Sequence, residues 1–282
     1  MNARYGSGDQ AEFWSGGAGN AWVDAQAMLD RLFQPVEALI VDAMAEAAPE
    51  QVLDVGCGTG GTTLAAARRL DPIGRCTGID ISEPMIAAAR ARAELESLPA
   101  RFVRADAETY DFHPASFDMT ISRFGIMFFA DPVRAFANLC RASRAGATLG
   151  LVAWRSAAEN PFMTTAERAA APLLPNLPRR EEEGPGQFAF GDRDRVHRIL
   201  EESGWRAIDI RPVDLPCVLP ETDLPAYLTR FGPVGRALDG ADERTRAEVL
   251  RAIRPAFDPF LLGSEVRFTA ACWMIAARAP AD

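Results

Sequence analysis

The spacing of apolar positions changes character near residue 50. Upstream, in "AWVDAQAMLDRLFQPVEALIVDAMAEAA", Met28, Leu32, Val36, Leu39, Ile40 and Met44 recur at helical intervals. This predicts two amphipathic helices meeting near Pro35. Trp14 and Trp22 flank "GGAGNAW", a Gly-rich stretch that reads as a turn. Downstream, short apolar runs alternate with helical segments. "QVLDV", "RCTGID", "ARFVRAD", "FDMTISR" and "GATLGLVAW" read as five strands. "GTTLAAARRL", "EPMIAAARARAEL" and a segment opened by Asp131-Pro132 and running to about Ser143 read as the helices between them. Ser82 is placed to cap the second of these, with Pro84 in its first turn.

Strand–helix alternation predicts an α/β architecture, a parallel sheet with helices on both faces joined by right-handed crossovers. After Trp154 the regularity stops. "PLLPNLPRREEEGPGQ" reads as a long loop, with "RREEE" at residues 179–183 a solvated run. Asp192 is placed to cap "RDRVHRILEES", Gly204 to end it, and "RAIDIRPVDL" reads as a sixth strand. Pro220 to Gly263 looks helical with breaks at "FGPVG" and "DPF", before a long final strand, "EVRFTAACWMIAAR". The expected organisation is a helical N-terminal cap over residues 1–48 and an α/β domain over residues 49–282. That domain carries a lid-like loop at about 155–190 and a helical insertion at about 220–263. All three additions could cover the carboxyl ends of the strands, where open α/β sheets bind ligands.

Composition narrows the classes. Of 282 residues, 48% are hydrophobic and 24% charged, enough apolar material for a sizeable core. The net charge is −9, with no long basic stripe, which argues against nucleic acid as a partner. No apolar run reaches the length of a membrane span. Cys57, Cys76, Cys140, Cys217 and Cys272 are scattered and odd in number, and the beginning of the chain has no apolar signal core. These features predict reduced thiols in a soluble cytoplasmic protein.

The chemistry is carried by the strand ends. "VLDVGCGTGG" contains G-x-G-x-x-G at Gly56, Gly58 and Gly61, a dinucleotide pattern, and also G-x-G-x-G ending at Gly60. Asp54 stands two residues before the first glycine. A carboxylate there would repel a pyrophosphate and suit an ammonium group. Asp80 ends the second strand, where a carboxylate accepts from ribose hydroxyls, and this holds for dinucleotide enzymes and nucleoside-binding transferases alike. Asp106 follows the third strand and suits an adenine amino group or a local Asx-turn.

Taken in order, "DVGCGTG", "GIDIS", "ADAE" and "FDMTISRFGIMFF" resemble the class I S-adenosylmethionine-dependent methyltransferases, in particular the branch related to ubiquinone/menaquinone C-methyltransferases. The resemblance covers roughly residues 50–155 closely and the tail more loosely. It implies a doubly wound, Rossmann-like, seven-stranded and mostly parallel sheet with an antiparallel last strand, and S-adenosyl-L-methionine as cofactor. It also implies that Asp54, Gly56, Cys57, Gly58 and Thr59 surround the methionine end and that Asp80 holds the ribose. Ile81 and Met85 would lie beside the adenine, Asp106 and Ala107 at its far edge, and Ser122 near the sulfonium. One departure is "RASRAGATL", where many relatives carry Pro-Gly-Gly and this chain keeps only Gly146.

Methyl transfer from a sulfonium needs orientation and exclusion of water more than a strong base. Candidate bases are few. His113 lies in "DFHPASF" and His197 in a helix, and either can be a surface residue. Arg123, after Ser122, could bind an anionic substrate group, pair with a carboxylate, or reach the cofactor carboxylate. No metal-ligand spacing is visible. Phe13, Trp14, Trp22, Phe124, Phe128, Phe129, Trp154, Phe162, Phe188 and Phe190 could be core or could line a pocket for a small apolar or aromatic substrate. Two other readings stay open: a nicotinamide-dependent oxidoreductase, and a non-catalytic cofactor-binding protein.

Overall fold

The computed structural model describes residues 7–70, 73–175, 177–178 and 184–281. The "RREEE" run lies outside the described residues. Eight strands form one sheet: β1 (Gln51–Val55), β2 (Arg75–Asp80), β3 (Ala100–Arg104), β4 (Phe117–Arg123), β5 (Ser143–Trp154), β6 (Arg206–Pro220), β7 (Leu261–Leu262) and β8 (Glu265–Arg278). Their order is β3-β2-β1-β4-β5-β8-β6, with the two-residue β7 pairing β8 off this path. β1 to β5 are mutually parallel. β8 runs antiparallel to both β5 and β6, as the resemblance implied for the last strand. The fold is a doubly wound, Rossmann-like α/β fold. Val52, Leu53 and Val55 of the central β1 are buried on both faces, as a strand covered by helices on either side requires.

Among the described residues twelve α-helices surround the sheet: α1 (Ser7–Ser15), α2 (Gly17–Asp24), α3 (Gln26–Leu32), α4 (Gln34–Ala47), α5 (Gly61–Arg69), α6 (Glu83–Glu96), α7 (Pro132–Ala142), α8 (Pro161–Ala170), α9 (Arg193–Glu202), α10 (Leu224–Arg230), α11 (Gly232–Ala237) and α12 (Glu243–Ile253). The two predicted caps, Ser82 and Asp192, form, and Asp131 caps the helix it opens. Asp131 accepts from Arg134 N at 3.0 Å, Asp192 from Asp194 N and Arg195 N at 2.8 and 3.0 Å, and Ser82 Oγ from Met85 N at 3.4 Å. Trp205, fully buried, donates from Nε1 to Phe136 O at 3.0 Å and ties the α9–β6 corner to α7.

Two helices, α3 and α4, meet next to Pro35 as the apolar spacing predicts, with Pro35 in the first turn of α4, where its missing N–H costs nothing, and α1 and α2 precede them. Three local expectations are corrected. "GGAGNAW" is a helix, not a turn, because packing of α2 on α6 overrides the low helix propensity of glycine. "FGPVG" opens α11 instead of only breaking a helix. The irregular stretch after Trp154 contains α8, whose Phe162, Met163, Thr165 and Ala170 are buried. Its signal was Pro161 in the first turn ahead of a short apolar face.

The polar residue just before α8 anchors that stretch. Asn160 is 1% exposed. Its Nδ2 donates to Ala271 O at 3.0 Å and to Ser156 O at 3.1 Å, while its Oδ1 accepts from Ala271 N at 2.9 Å. Ala271 O also accepts from Arg155 N at 2.9 Å, so the β8 group that depends on the Asn160 side chain is Ala271 N. Asn160→Ala is expected to lower the urea midpoint, at about 1–3 kcal/mol for each buried group left unpaired. An unchanged midpoint would mean that the amide does not hold this junction.

Candidate functional site

Chain order in the sheet reverses between β1 and β4, the place where doubly wound sheets open a crevice. Two glycines meet there. Gly56 follows β1 with φ of 66°, and a Cβ on it would stand 2.5 Å from Gly125 Cα. A Cβ on Gly125 would stand 2.6 Å from both Gly56 Cα and Val55 O. Only paired glycines permit this backbone contact. Beside it, Phe124 adopts φ of 67°, uncommon for an aromatic residue, and its N–H donates to Val152 O at 3.0 Å. Its ring stacks on Trp154 at 4.6 Å and 7°, with Phe33 edge-on to both at 5.4 and 6.0 Å.

Around this point lies a cavity of about 970 Å³. One side is formed by the glycine loop with Asp54, Gly56, Cys57, Gly58 and Thr59, then by Asp80, Ile81 and Met85, then by Asp106 and Ala107. The sequence-expected cofactor residues are thus brought together, with one exception. Ser122 is fully buried, donates from Oγ to Val55 O at 2.6 Å and does not line the cavity. Alternation along β4 turns it into the β1–β4 seam, and it is its neighbour Arg123 that lines the cavity.

Asp80 accepts from Gly58 N through Oδ2 and from Ser82 N through Oδ1, both at 2.8 Å, which fixes the carboxylate at the cavity wall. Burial raises its pKa, and the backbone N–H groups of Ser82, Gly58 and Ile81 oppose that. Ser82 Oγ donates to Trp14 O at 2.6 Å and joins the end of α1 to this wall. Asp106 forms the Asx-turn, accepting from Glu108 N at 2.9 Å, while still facing the cavity.

Asp54 is 1% exposed. Oδ2 accepts from Thr63 Oγ1 at 2.6 Å and Oδ1 has no partner. Burial pushes its carboxyl up to about 7, against the lowering effects of the Thr63 hydrogen bond and the Arg123 charge. Arg123 lies among carboxylates from two elements, Asp54 of β1 and Glu37 of α4, yet its Nη1 is buried without a partner. A second arginine, Arg92 of α6, donates from Nη1 to Thr59 O and from Nη2 to Asp30 Oδ2, both at 2.8 Å. It ties the glycine loop to α3. Glycine and acidic positions pointed to the loop, but Gly125, Asp30, Glu37 and Arg92 carry no local motif and escaped the sequence reading.

Aromatic residues line the same cavity. Phe13, Trp14, Trp22, Phe124, Phe128, Phe129, Trp154, Phe162 and Phe188 all line it. Phe190 does not; it packs on Phe136 in the core. His113 is not in this cavity. It sits on an exposed loop with Nδ1 3.0 Å from Pro114 O, and His197 is exposed on α9. Among the described residues no group of three or more His, Cys, Asp or Glu could hold a metal ion, and no helix is long and apolar enough to cross a membrane.

Residues 52–146 match the model of a family described as a methyltransferase domain. Over 109 residues the chain is 38% identical to the demethylmenaquinone methyltransferase of Thermus thermophilus, a match covering 39% of this chain and 49% of that protein. Over 123 residues it is 34% identical to the aklanonic acid methyltransferase of a Streptomyces species (strain C5), covering 42% of this chain and 56% of that one. The chain thus spans about half the length of these relatives. Among solved structures, phosphoethanolamine N-methyltransferase 2 of Haemonchus contortus in complex with S-adenosyl-L-methionine is similar with a TM-score of 0.51 and 17% identity, over 99% of this chain and 58% of that one. Residues 52–146 are thus similar to a methyltransferase domain, and the fold of the chain to that of methyltransferases of known structure.

The Asp54 carboxyl makes a testable signature. In the folded protein it keeps its proton up to about 7, against an ordinary value of 3.8. Between those two values the folded state therefore binds more protons than the unfolded state, so this residue makes stability fall as pH rises. Asp80, Glu37 and Glu108 are shifted in the same direction, so a difference measurement is needed. Urea unfolding of the empty protein from pH 4 to pH 7 is expected to show a shallower decline in Asp54→Asn than in the parent. Parallel curves would place the Asp54 titration elsewhere.

Proposed function

We propose that this chain transfers the methyl group of S-adenosylmethionine to a small apolar or aromatic acceptor, by in-line displacement and without a metal. The observation that carries this reading is the composition of the cavity lining, in which the polar strand ends and many aromatic side chains share one space. About 970 Å³ is at the upper end of the range for a single small-molecule site, which leaves room for cofactor and acceptor together.

The residues present fit the cofactor. The unpartnered Asp54 Oδ1 is a ready acceptor for an ammonium group, and the Asp80 carboxylate, fixed by two backbone N–H groups, keeps lone pairs for ribose hydroxyls. A pyrophosphate would face the Asp54 carboxylate, which weighs against a nicotinamide dinucleotide. Ile81, Met85 and Ala107 offer apolar surface for a base, and Asp106 an acceptor at its edge. When bound, S-adenosylmethionine supplies a methyl group already activated on a sulfonium. What the protein adds is placement and dryness. Phe124, Trp154 and Phe33 form a rigid apolar floor beside the glycine loop. The reading requires no general base. It also requires no metal ion, and among the described residues no group of three or more His, Cys, Asp or Glu could hold one.

In this reading the N-terminal helices up to residue 48 and the insertion at about 220–263 cap the strand ends and supply the acceptor wall. Trp14 meets Phe128 at 4.9 Å and Trp22 meets Phe231 at 5.8 Å, so aromatic contacts join both additions to the cavity. The described part of residues 155–190 adds Phe162 and Phe188 to the wall.

Calorimetry is expected to find micromolar-range binding of S-adenosylmethionine or S-adenosylhomocysteine and no comparable binding of NAD. Tighter binding of NAD would reverse the cofactor choice. Incubation with methyl-labelled S-adenosylmethionine and extracts of small metabolites is expected to label an apolar or aromatic compound, before and after EDTA. Cofactor binding with no labelled product from any extract would favour a non-catalytic binding protein, and loss with EDTA restored by Mg²⁺ would overturn the metal-free reading.

A further inference from the structure

We infer that Arg246 of α12 anchors a carboxylate of the methyl acceptor, which makes the acceptor an aromatic or apolar carboxylic acid. The inference rests on the reading of this cavity as the place where an acceptor is methylated, and names a group that the acceptor carries.

Six arginines lie in the insertion at about 220–263. Four of them make structural contacts. Arg230 pairs with Asp24 at 3.9 Å, Arg244 with Glu248 at 2.9 Å, and Arg254 with Asp258 at 2.7 Å and with Glu221. Arg236 lies over the Phe13 ring at 5.9 Å and so joins α11 to α1. Arg251 is exposed and outside the cavity. Arg246 differs from all five. It is half-buried and lines the cavity, yet no carboxylate among the described residues lies within ion-pair distance of it.

Its position is nevertheless fixed. Asp242 caps α12 by accepting from Thr245 N at 2.7 Å, and Arg246 N donates to Asp242 O at 3.1 Å. The side chain folds back along this first turn, as helical side chains do, and Nε donates to Ala241 O at 3.1 Å. A neutral carbonyl therefore holds the guanidinium, and its charge is left without a counter-ion. Nη1 and Nη2 have no partner among the described residues. Two coplanar N–H donors of one guanidinium match the two oxygens of a carboxylate. A phosphate dianion fits less well, because Asp9, Glu12, Glu167 and Asp239 line the same cavity and repel a second negative charge. The aromatic residues of the lining suit the body of such an acid, and Arg246 its head.

A solvated arginine at the rim of the cavity would show the same burial. The two differ in their response to charge on a ligand of constant shape. Calorimetry on the full chain saturated with S-adenosylhomocysteine would compare 2-naphthoate with 2-naphthamide, which share ring and outline and differ in charge. The parent is expected to bind the naphthoate about 10- to 100-fold more tightly, the scale of a charge-assisted hydrogen bond. In Arg246→Gln the preference is expected to shrink to within a few fold, with the affinities for naphthamide and S-adenosylhomocysteine unchanged. Arg246→Lys, which keeps the charge but not the fork, is expected to retain an intermediate preference. Arg244→Gln, which removes the same charge from the exposed side of α12, is expected to keep the full preference. No preference in the parent, a preference that survives in Arg246→Gln, or an equal loss in Arg244→Gln would each overturn the inference. So would failure of both probes to bind a protein that binds S-adenosylhomocysteine, which leaves the cofactor reading standing. If S-adenosylhomocysteine itself does not bind, the methyltransferase reading falls, and the inference with it.

Discussion

Contact between the backbones of Gly56 and Gly125 is the constraint on which the site depends. The loops leaving β1 and β4 approach so closely that no side chain fits between them. With the two strand ends locked, Phe124 is forced into the left-handed region and its ring is laid flat on Trp154. That strain is tolerated because neighbours fix it from both directions: its N–H is bonded to β5 and its ring is packed against Trp154 and Phe33. The crevice that all doubly wound sheets offer becomes, here, a slot with a polar wall and an aromatic floor.

Charge is distributed around this slot in an unusual way for a buried region. Asp54 is held uncharged well above the ordinary carboxyl range in the empty protein, and Glu37 is raised as well. Such groups destabilise the fold, since a buried carboxylate without full pairing loses its hydration. Their persistence beside an arginine with a free donor is the pattern of a site arranged for a charged ligand. Arg92 gives this cluster mechanical reach. By bonding both the Thr59 carbonyl and the Asp30 carboxylate, it makes the conformation of the glycine loop depend on the N-terminal helices. Ser82 does the same beside Asp80 through Trp14 O. The cavity wall formed by the strand ends is therefore tied to the N-terminal segment at two points.

The aromatic wall is similarly continuous. Trp14 touches Trp22, Trp22 touches Phe231, Phe231 touches Tyr227, and Tyr227 touches Phe162, at centroid separations of 5.5 to 6.3 Å. Edge-on and tilted contacts of this kind are individually worth about a kcal/mol beyond burial, but as a chain they couple elements far apart in sequence. Stiff, flat side chains of this kind fix distances and exclude water from the space they line.

The antiparallel last strand and the cofactor class were implied only by resemblance to a family, while the sequence by itself determined the layered α/β class and the loop positions of Asp54, Asp80 and Asp106. These are local matters: a short apolar run, a glycine turn and an acidic residue at a strand end are adjacent in the chain, so their spacing carries the geometry. Tertiary structure alone decided the rest. Ser122 and Arg123 are neighbours with opposite fates, because a strand turns successive side chains to opposite faces and only the register with β1 and β5 says which face meets the cavity. Nothing near Gly125 in the sequence announces its contact with Gly56, and nothing near Glu37 announces Arg123. The aromatic residues looked alike as a list, yet Phe190 joins the core while the other nine line the cavity. α2 and α8 formed against weak local signals because burial against other elements outweighs propensity. Long-range packing places side chains that local periodicity can only count.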